Sequence, residues 1–184
     1  MSLWDWSEVG CARVASRGAP GRPFLGLPTP PTTSSRYSDA QVFGWSPEKV
    51  YAVVSDVDSY DQFVPWCVSS RTIRRYGPGE TDAELVVGFQ IFSERYVSHV
   101  TCDAPRRVTA RVAESNLFDH LDHDWKLEAG PKPDTCALSF DLDFAFKSPL
   151  HAHVAGVFLN EVAARMLEAF HQRCIVVHGN PVRV

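Results

Sequence analysis

A cluster of imidazoles and carboxylates is the first place in this 184-residue chain where chemistry could occur. His120 and His123 stand among three aspartates, and His151 and His153 follow later. A zinc site needs three or four convergent ligands. On a strand, residues three apart point to opposite faces, so His120 and His123 cannot share one ion. His151 and His153 diverge in a similar way near a helix start. The sequence therefore predicts no metal site.

Nucleophilic and nucleotide-dependent chemistry has no motif in the sequence. It contains no G-x-S-x-G elbow, no phosphate-binding loop and no G-x-G-x-x-G segment. An acid–base pair could arise only if the sheet brought together two of Glu84, Glu94 and Glu114. The favoured interpretation is that all three are surface carboxylates on solvated strand faces. We therefore predict no catalytic residue and no cofactor.

The spacing of the cysteines and the net charge restrict the compartment and the partners expected for this protein. The five cysteines are widely spaced and form no C-x-x-C pair, which indicates a reducing compartment rather than a disulfide framework. Residues 1–36 carry four arginines against two acids, which leaves 14 basic and 20 acidic residues in the remainder, a net charge of −6. Such an acidic domain is a poor match for nucleic acid. No apolar run is long enough to cross a bilayer, so we expect any membrane contact to be peripheral.

The elements that must position these side chains begin with strands separated by turn signals. Residues 137–146 show the clearest alternation, with Leu or Phe at every even position and three polar residues at the odd positions. This pattern predicts an antiparallel strand with one buried and one solvated face. Further strands are predicted at residues 36–43, 68–76, 83–90, 96–102, 108–113 and 117–127.

Helix starts frame these strands. Ser46-Pro47 and Ser148-Pro149 each combine an N-cap residue with a proline at the first helical position. The first start predicts a short helix, residues 58–64 predict a second one, and residues 150–175 predict a long amphipathic helix. Its apolar stripe is predicted at Val154, Val157, Phe158, Val162, Met166 and Phe170.

The order of these elements is a strand, two short helices, about six strands and one long helix. This order predicts an α+β fold in which the helices lie on one face of a curved antiparallel sheet of six to seven strands. The apolar residues between sheet and helix could fill a core or line a cavity, and periodicity leaves both alternatives open.

The first 36 residues differ in composition from the rest. Five prolines fall between residues 20 and 31, and proline blocks both helix and central strand. We therefore predict a disordered tail over residues 1–36 and a folded domain over residues 37–184. The arginine- and serine-rich tail resembles a mitochondrial or plastid transit segment, although Asp5 and Glu8 depart from that pattern. An extension without a targeting role is the alternative.

A second short helix ends in a group of apolar residues. They are Tyr60, Phe63, Val64, Pro65 and Trp66. Exposed apolar patches mark partner or membrane sites, and Trp and Tyr favour the membrane–water interface. These five residues are predicted to dock on a membrane, with capping of the core as an equal alternative.

Two segments carry a family resemblance that covers about residues 37–180. YDQFVPWC at residues 60–67 resembles the Y-x-x-F-[LVI]-P-W-C segment of the mitochondrial coenzyme Q-binding proteins and their bacterial relatives. FAFKSPL at residues 144–150, with the helix that follows, resembles the closing strand and helix of that family. The resemblance implies the START-like, polyketide cyclase-like helix-grip fold, in which the sheet encloses an apolar tunnel.

The resemblance also implies a function. It is non-enzymatic binding of coenzyme Q (ubiquinone), a late precursor or another isoprenoid lipid, at the matrix side of the inner mitochondrial membrane, in support of respiration and quinone synthesis. Association with the quinone-synthesis complex or with a second copy is a further expectation. Tyr96, His120 and Lys147 are candidates for contact with the quinone head. The candidate tunnel walls are Leu85, Val87, Phe89, Leu121, Trp125, Leu142, Phe144, Val154, Val157 and Phe158.

Two alternative functions remain for the same fold. A polyketide cyclase or aromatase would need an acid–base pair in the tunnel, whereas the predicted walls are apolar. A ribosome-associated protein related to a bacterial toxin would need a ribosomal partner, which the net charge of −6 disfavours.

Overall fold

The computed structural model describes residues 34–89, 92–148 and 159–184. In chain order they form β1 (Ser34–Phe43), α1 (Pro47–Val54), a 3₁₀ helix (Val57–Gln62), β2 (Cys67–Gly77), β3 (Glu80–Phe89), β4 (Phe92–Asp103), β5 (Arg107–Glu114), β6 (Phe118–Ala129), β7 (Cys136–Phe146) and α2 (Leu159–His178). Residues 1–33 lie outside the described ranges, so the predicted tail and its targeting role stay predictions.

The described strands form one antiparallel sheet in the order β1-β7-β6-β5-β4-β3-β2. From β2 to β7 each strand pairs with its neighbour in sequence, and β1 pairs with β7 from the far end of the domain. α1 and the 3₁₀ helix therefore connect one edge of the sheet to the other. This architecture confirms the predicted α+β class, with seven strands and a C-terminal helix.

Strand β7 confirms the prediction from alternation. Leu138, Phe140, Leu142 and Phe144 are buried, whereas the aspartates between them remain partly exposed. One face of β7 thus lies against the helices and the other faces solvent, as the period of two requires. We call the buried side of the sheet the inner face and the solvated side the outer face.

Two strands start earlier than the sequence predicts. β1 begins at Ser34 rather than at residue 36, because Ser34 and Ser35 still pair with the end of β7. β4 begins at Phe92 rather than at residue 96, because it continues its hairpin with β3 as far as the Phe89–Phe92 pair. Local alternation does not contain this information, since a hairpin extends as long as its partner strand offers hydrogen bonds.

The apolar stripe of α2 agrees with its predicted position only in part. Ala163, Leu167, Phe170 and Cys174 are buried. They recur at spacings of four, three and four residues, which places them on one side of a helix. Of the residues predicted to carry the stripe, Phe170 is buried and Met166 packs against the core from a half-buried position, whereas Val162 is half-buried at the margin of the stripe. Residues 149–158 of the predicted helix lie outside the described residues.

The two short helices are held to the sheet by both packing and hydrogen bonds. α1 buries Val50, Val53 and Val54. The Ser70 hydroxyl on β2 donates a 2.7 Å hydrogen bond to the Val57 carbonyl at the start of the 3₁₀ helix. These contacts fix the position of the loop that follows the 3₁₀ helix. Within the described ranges, no helix is both long and apolar enough to span a bilayer.

Candidate ligand-binding face

The register of the sheet places most predicted wall residues together on the inner face. Leu121 of β6 lies beside Phe144 of β7, and His123 lies beside Leu142. Leu85 of β3 lies beside Tyr96 of β4. The described wall residues therefore lie on one surface, although they come from three strands, β3, β6 and β7. Leu85, Leu121, Trp125, Leu142 and Phe144 are buried, and Val87 is half-buried.

The remaining predicted wall residues cannot be placed in the same way. Phe89 is the last residue of β3, and its side chain lies outside the description. Val154, Val157 and Phe158 lie in the stretch that the structure does not describe. Their role in a tunnel stays a prediction.

One half of the inner face packs directly against α2. The Phe170 ring lies 4.7 Å from the Trp125 ring, measured between centroids, and the Trp125 and Phe140 rings lie 4.3 Å apart. All three side chains are buried. Trp125, although predicted as a wall residue, thus forms part of the packing between sheet and helix.

The next row of side chains across the sheet is less tightly covered. Ala110 on β5 and His123 on β6 are paired across the two strands. Both remain half-buried, whereas their neighbours Val100 and Leu142 are 3% and 5% exposed. Because Ala110 has a small side chain and His123 retains accessible surface, this row is less completely covered than the Trp125 row, where both Val108 and Trp125 are buried.

The two histidines of β6 face opposite sides, as their spacing predicts. The His120 imidazole lies on the outer face, where its Nε2 atom is 3.0 Å from the Asp143 carboxylate. His123 lies on the inner face with its ring edge-on to Phe140, at a centroid distance of 6.0 Å. Burial lowers the pKa of His123 to about 4, so this imidazole is neutral at physiological pH. His120 therefore lies on the wrong face for the quinone contact suggested from the sequence.

Two of the three carboxylates considered as acid–base groups, Glu84 and Glu94, already have partners, and the third, Glu114, is exposed. Glu84 on the outer face accepts hydrogen bonds from Arg71 and Arg95, and the pKa of this carboxyl is lowered chiefly by Arg71. The Glu94 carboxylate accepts bonds from the Ser115 hydroxyl and from backbone N–H groups of the turn that follows. In the part of the chain that the structure describes, no three His, Cys, Asp or Glu side chains converge as a metal site.

An open pocket of about 500 Å³ lies where β5 separates from β6. The two strands pair over residues 107–111 of β5 only, so the following residues diverge. Tyr96, Val112 and Phe118 are apolar contributors to its lining. Lys147 also lines the pocket, and its ammonium group donates a 2.7 Å hydrogen bond to the Ser115 carbonyl. Contact between Lys147 and a quinone head would have to compete with this internal hydrogen bond, and it stays a prediction.

Aromatic rings lead from this pocket towards the inner face. Tyr96 and Phe118 lie 6.0 Å apart between ring centroids, Phe118 and Phe146 lie 5.1 Å apart, and Phe146 and Phe144 lie 5.2 Å apart. Tyr96 itself is buried, and burial raises the pKa of its hydroxyl. Ring contacts thus join Tyr96 and Phe118 of the pocket lining to the predicted wall residue Phe144.

The segment predicted to dock on a membrane is divided between core and surface. Tyr60 and Phe63 stack edge-on against Phe170 of α2, with ring centroids 5.3 Å and 5.1 Å away. The Tyr60 hydroxyl donates to the Val54 carbonyl, and Val64 packs against the core. These three residues adopt the core-capping alternative in this structure, and their contact with a membrane stays a prediction.

Pro65 and Trp66 form the outer part of that segment. Both are half-buried, and Trp66 has a φ of 62°, in the left-handed region that bulky residues rarely adopt. Val68, two residues further along, is 65% exposed. An aromatic and an aliphatic side chain are therefore presented close together at the start of edge strand β2.

Comparison with known proteins agrees with this geometry. Residues 44–171 match the family model described as polyketide cyclase/dehydrase and lipid transport. The coenzyme Q-binding protein of Eremothecium gossypii, named as mitochondrial, is 36% identical over 83% of this chain and 78% of its own length. The chain belongs to the coenzyme Q-binding branch of this family. The sequence-based expectation of family and fold is thereby confirmed.

Two further comparisons define how far the likeness extends. The mitochondrial coenzyme Q-binding protein COQ10 homolog B of Xenopus laevis is 42% identical over 86% of this chain. The chain spans 66% of the length of that relative. An aromatase/cyclase from a Streptomyces strain superimposes with a TM-score of 0.70 at 16% identity, over 81% of this chain and 99% of its own. This last likeness shows that the coenzyme Q-binding branch shares its fold with the cyclase.

Proposed function

We propose that this domain binds coenzyme Q or a late precursor on the inner face of its sheet, as a non-enzymatic carrier. The observation that carries the proposal is the row of Ala110, His123 and Leu142, where accessible space adjoins buried apolar walls in a member of the coenzyme Q-binding branch. The carrier would act at the matrix side of the inner mitochondrial membrane and support respiration and quinone synthesis.

The affinity of such a site arises from apolar burial. Each CH₂ equivalent removed from water contributes about 0.8 kcal/mol, so a few isoprene units supply micromolar binding without specific polar contacts. Leu85, Leu121 and Phe144 offer buried apolar surface for this purpose. The aromatic rings between the pocket at Tyr96 and Phe144 provide an apolar path along which a lipid chain could enter.

A carrier agrees better with the described residues than an enzyme does. General acid–base catalysis needs a titratable group within hydrogen-bond reach of the substrate, and efficient groups have a pKa near the working pH. Glu84 lies on the outer face in ion pairs, and Glu94 holds a turn. Burial lowers the pKa of His123 to about 4, far from that optimum.

Peripheral membrane contact would bring the carrier to its ligand. Trp66 and Val68 at the start of β2 are the described apolar side chains best placed for insertion. The predicted docking segment would thus act through its outer residues, while Tyr60 and Phe63 fasten it to α2. Since Phe170 also touches Trp125, docking and the inner face are joined by one cluster of rings.

The test is organic extraction of the purified full chain, followed by mass spectrometry of the bound lipid. We expect about one quinone per domain after expression in a quinone-producing host. Ala110→Phe should reduce that content severalfold by filling the space beside His123, whereas Arg111→Phe, at an exposed position of the same strand, should not. A protein that carries only phospholipid, or whose quinone content is equal in both variants, would contradict the proposal.

A further inference from the structure

His123 is a polar side chain of the inner face, at the row where it and Ala110 are only half-buried. His123 lies on β6 between Ala110 of β5 and Leu142 of β7. Its ring touches Phe140 edge-on, and no hydrogen bond joins either ring nitrogen to another described residue. A polar group in an apolar surrounding costs free energy unless it finds a partner. Because no buried side-chain nitrogen or oxygen of the described residues lacks a partner, the ring nitrogens of His123 reach accessible space, where a ligand can bind them.

The other polar group nearby on this row is already engaged. Tyr37 of β1 lies on the opposite side of Leu142 from His123. Its hydroxyl donates a hydrogen bond of 3.3 Å to the Asp39 carboxylate, which also accepts a bond of 2.9 Å from the Gln41 amide. This group of three is satisfied internally. Thr81 of β3 also lies on this row, but β4 and β5 separate it from His123. His123 is therefore the polar group beside Leu142 that can serve a ligand.

The protonation state of His123 suits a quinone ring. Its immediate neighbours in the register, Ala110 and Leu142, are apolar, and burial keeps the imidazole neutral. A neutral imidazole carries one N–H donor and one acceptor nitrogen. The donor can bind the carbonyl oxygen of a quinone, and the acceptor can bind the hydroxyl of the reduced hydroquinone. One side chain could thus hold either redox form without itself changing charge.

We propose that His123 forms the hydrogen bond to the ring oxygen of the bound quinone and thereby selects the quinone from other isoprenoid lipids. This inference rests on the proposed function and adds the residue that gives the site its head-group specificity. The apolar walls provide affinity for any long hydrocarbon chain, whereas His123 distinguishes a chain that carries an oxygenated ring.

The experiment compares two ligands and three variants of the full chain. The ligands are ubiquinone with two isoprene units and the same isoprenoid chain on a benzene ring without oxygen. The variants are His123→Phe, His123→Asn and His120→Phe, the last being a matched control on the outer face of the same strand. Dissociation constants are measured by quenching of the intrinsic Trp fluorescence in delipidated protein.

We expect His123→Phe to weaken ubiquinone binding about 3- to 10-fold, the effect of one lost hydrogen bond. Binding of the oxygen-free ligand should not weaken. His123→Asn, which keeps an N–H donor, should recover part of the quinone affinity, and His120→Phe should resemble the native protein.

Three results would overturn the inference. Equal ubiquinone binding by His123→Phe and the native protein would show that His123 forms no hydrogen bond to the quinone ring. Equal losses for both ligands would indicate a change of shape rather than of head-group recognition. Failure of the native protein to bind either ligand would overturn the proposed function as well, and this result is distinct from the first two.

Discussion

Trp66 combines a half-buried position with an unusual backbone conformation. Its φ of 62° is one that glycine adopts at little cost and that a bulky residue adopts under strain. Strain of this kind persists where the side chain has a role that outweighs it. The neighbouring Val68 is 65% exposed, so the two residues together form the apolar edge proposed to dock on a membrane.

Trp66→Gly should separate membrane docking from folding. The free energy of unfolding should stay within about 1 kcal/mol of the native value, because relief of the strained φ offsets lost contacts. Binding to phosphatidylcholine liposomes should weaken about tenfold, because interfacial burial of the indole is lost. Urea unfolding and liposome flotation measure the two effects. Val176→Ser, at an exposed valine of α2, is the control, and docking lost equally in both variants would refute the role of Trp66.

Phe170 of helix α2 joins the helix to the sheet and to the segment that follows α1. Phe170 touches Trp125 on the sheet, and Tyr60 and Phe63 of the docking segment. Its side chain is 2% exposed. Removal of this ring would therefore leave a cavity at the meeting point of sheet, helix and loop.

Phe170→Ala should lower the free energy of unfolding by about 3–5 kcal/mol, the usual effect of deleting a buried Phe ring. Val176→Ala, six residues further along the same helix but 75% exposed, should change it by less than about 0.5 kcal/mol. Urea denaturation of both variants makes the comparison. A small effect at Phe170 would mean that α2 can repack without it.

The stability of the whole molecule should depend on pH through His123. Its pKa is about 4 when folded and about 6.5 when unfolded, so the unfolded state binds more protons between these values. Stability therefore falls as the pH drops from 6.5 towards 4. The pKa of His99 is raised, chiefly by Asp82, and its contribution is fully present below pH 6.5 and is lost only at higher pH.

Urea titrations of delipidated protein test this dependence. Between pH 6.5 and 5.0 the native protein should lose about 2 kcal/mol of unfolding free energy, whereas His123→Phe should lose much less. Carboxylates with lowered pKa, such as Asp143, act mainly below this window. Parallel curves for the two proteins would show that His123 is not shielded from solvent as the structure indicates.

The overall charge predicts how docking depends on salt. The region after residue 36 has a net charge of −6, so attraction to anionic lipid should be weak outside local patches. Raising the ionic strength from about 0.1 to 0.5 M should therefore change liposome binding less than twofold. A strong loss of binding with salt would instead implicate the arginines of edge strand β2, Arg71, Arg74 and Arg75.

Sequence periodicity alone predicted the elements and the class of fold. Two of these signals, the alternation of residues 137–146 and the Ser-Pro helix starts, depend only on neighbours in the chain. They can therefore be read without knowing which strands pair. The same local rule predicted that His120 and His123 face opposite sides. The motif at residues 60–67 predicted the family, which the comparisons confirm.

Tertiary structure decided what each face meets. The predicted walls Leu121 and Trp125 place His123 on the inward side by alternation, but the sequence could not tell what covers that side, because this depends on the register between β6 and β7 and on the helix packed across them. The sequence likewise could not show that Tyr60 and Phe63 pack against the core while Trp66 does not join them there. This difference depends on contacts with Phe170, more than a hundred residues away. Local periods fix which residues share a side, whereas only long-range packing determines whether that side is core, ligand site or surface.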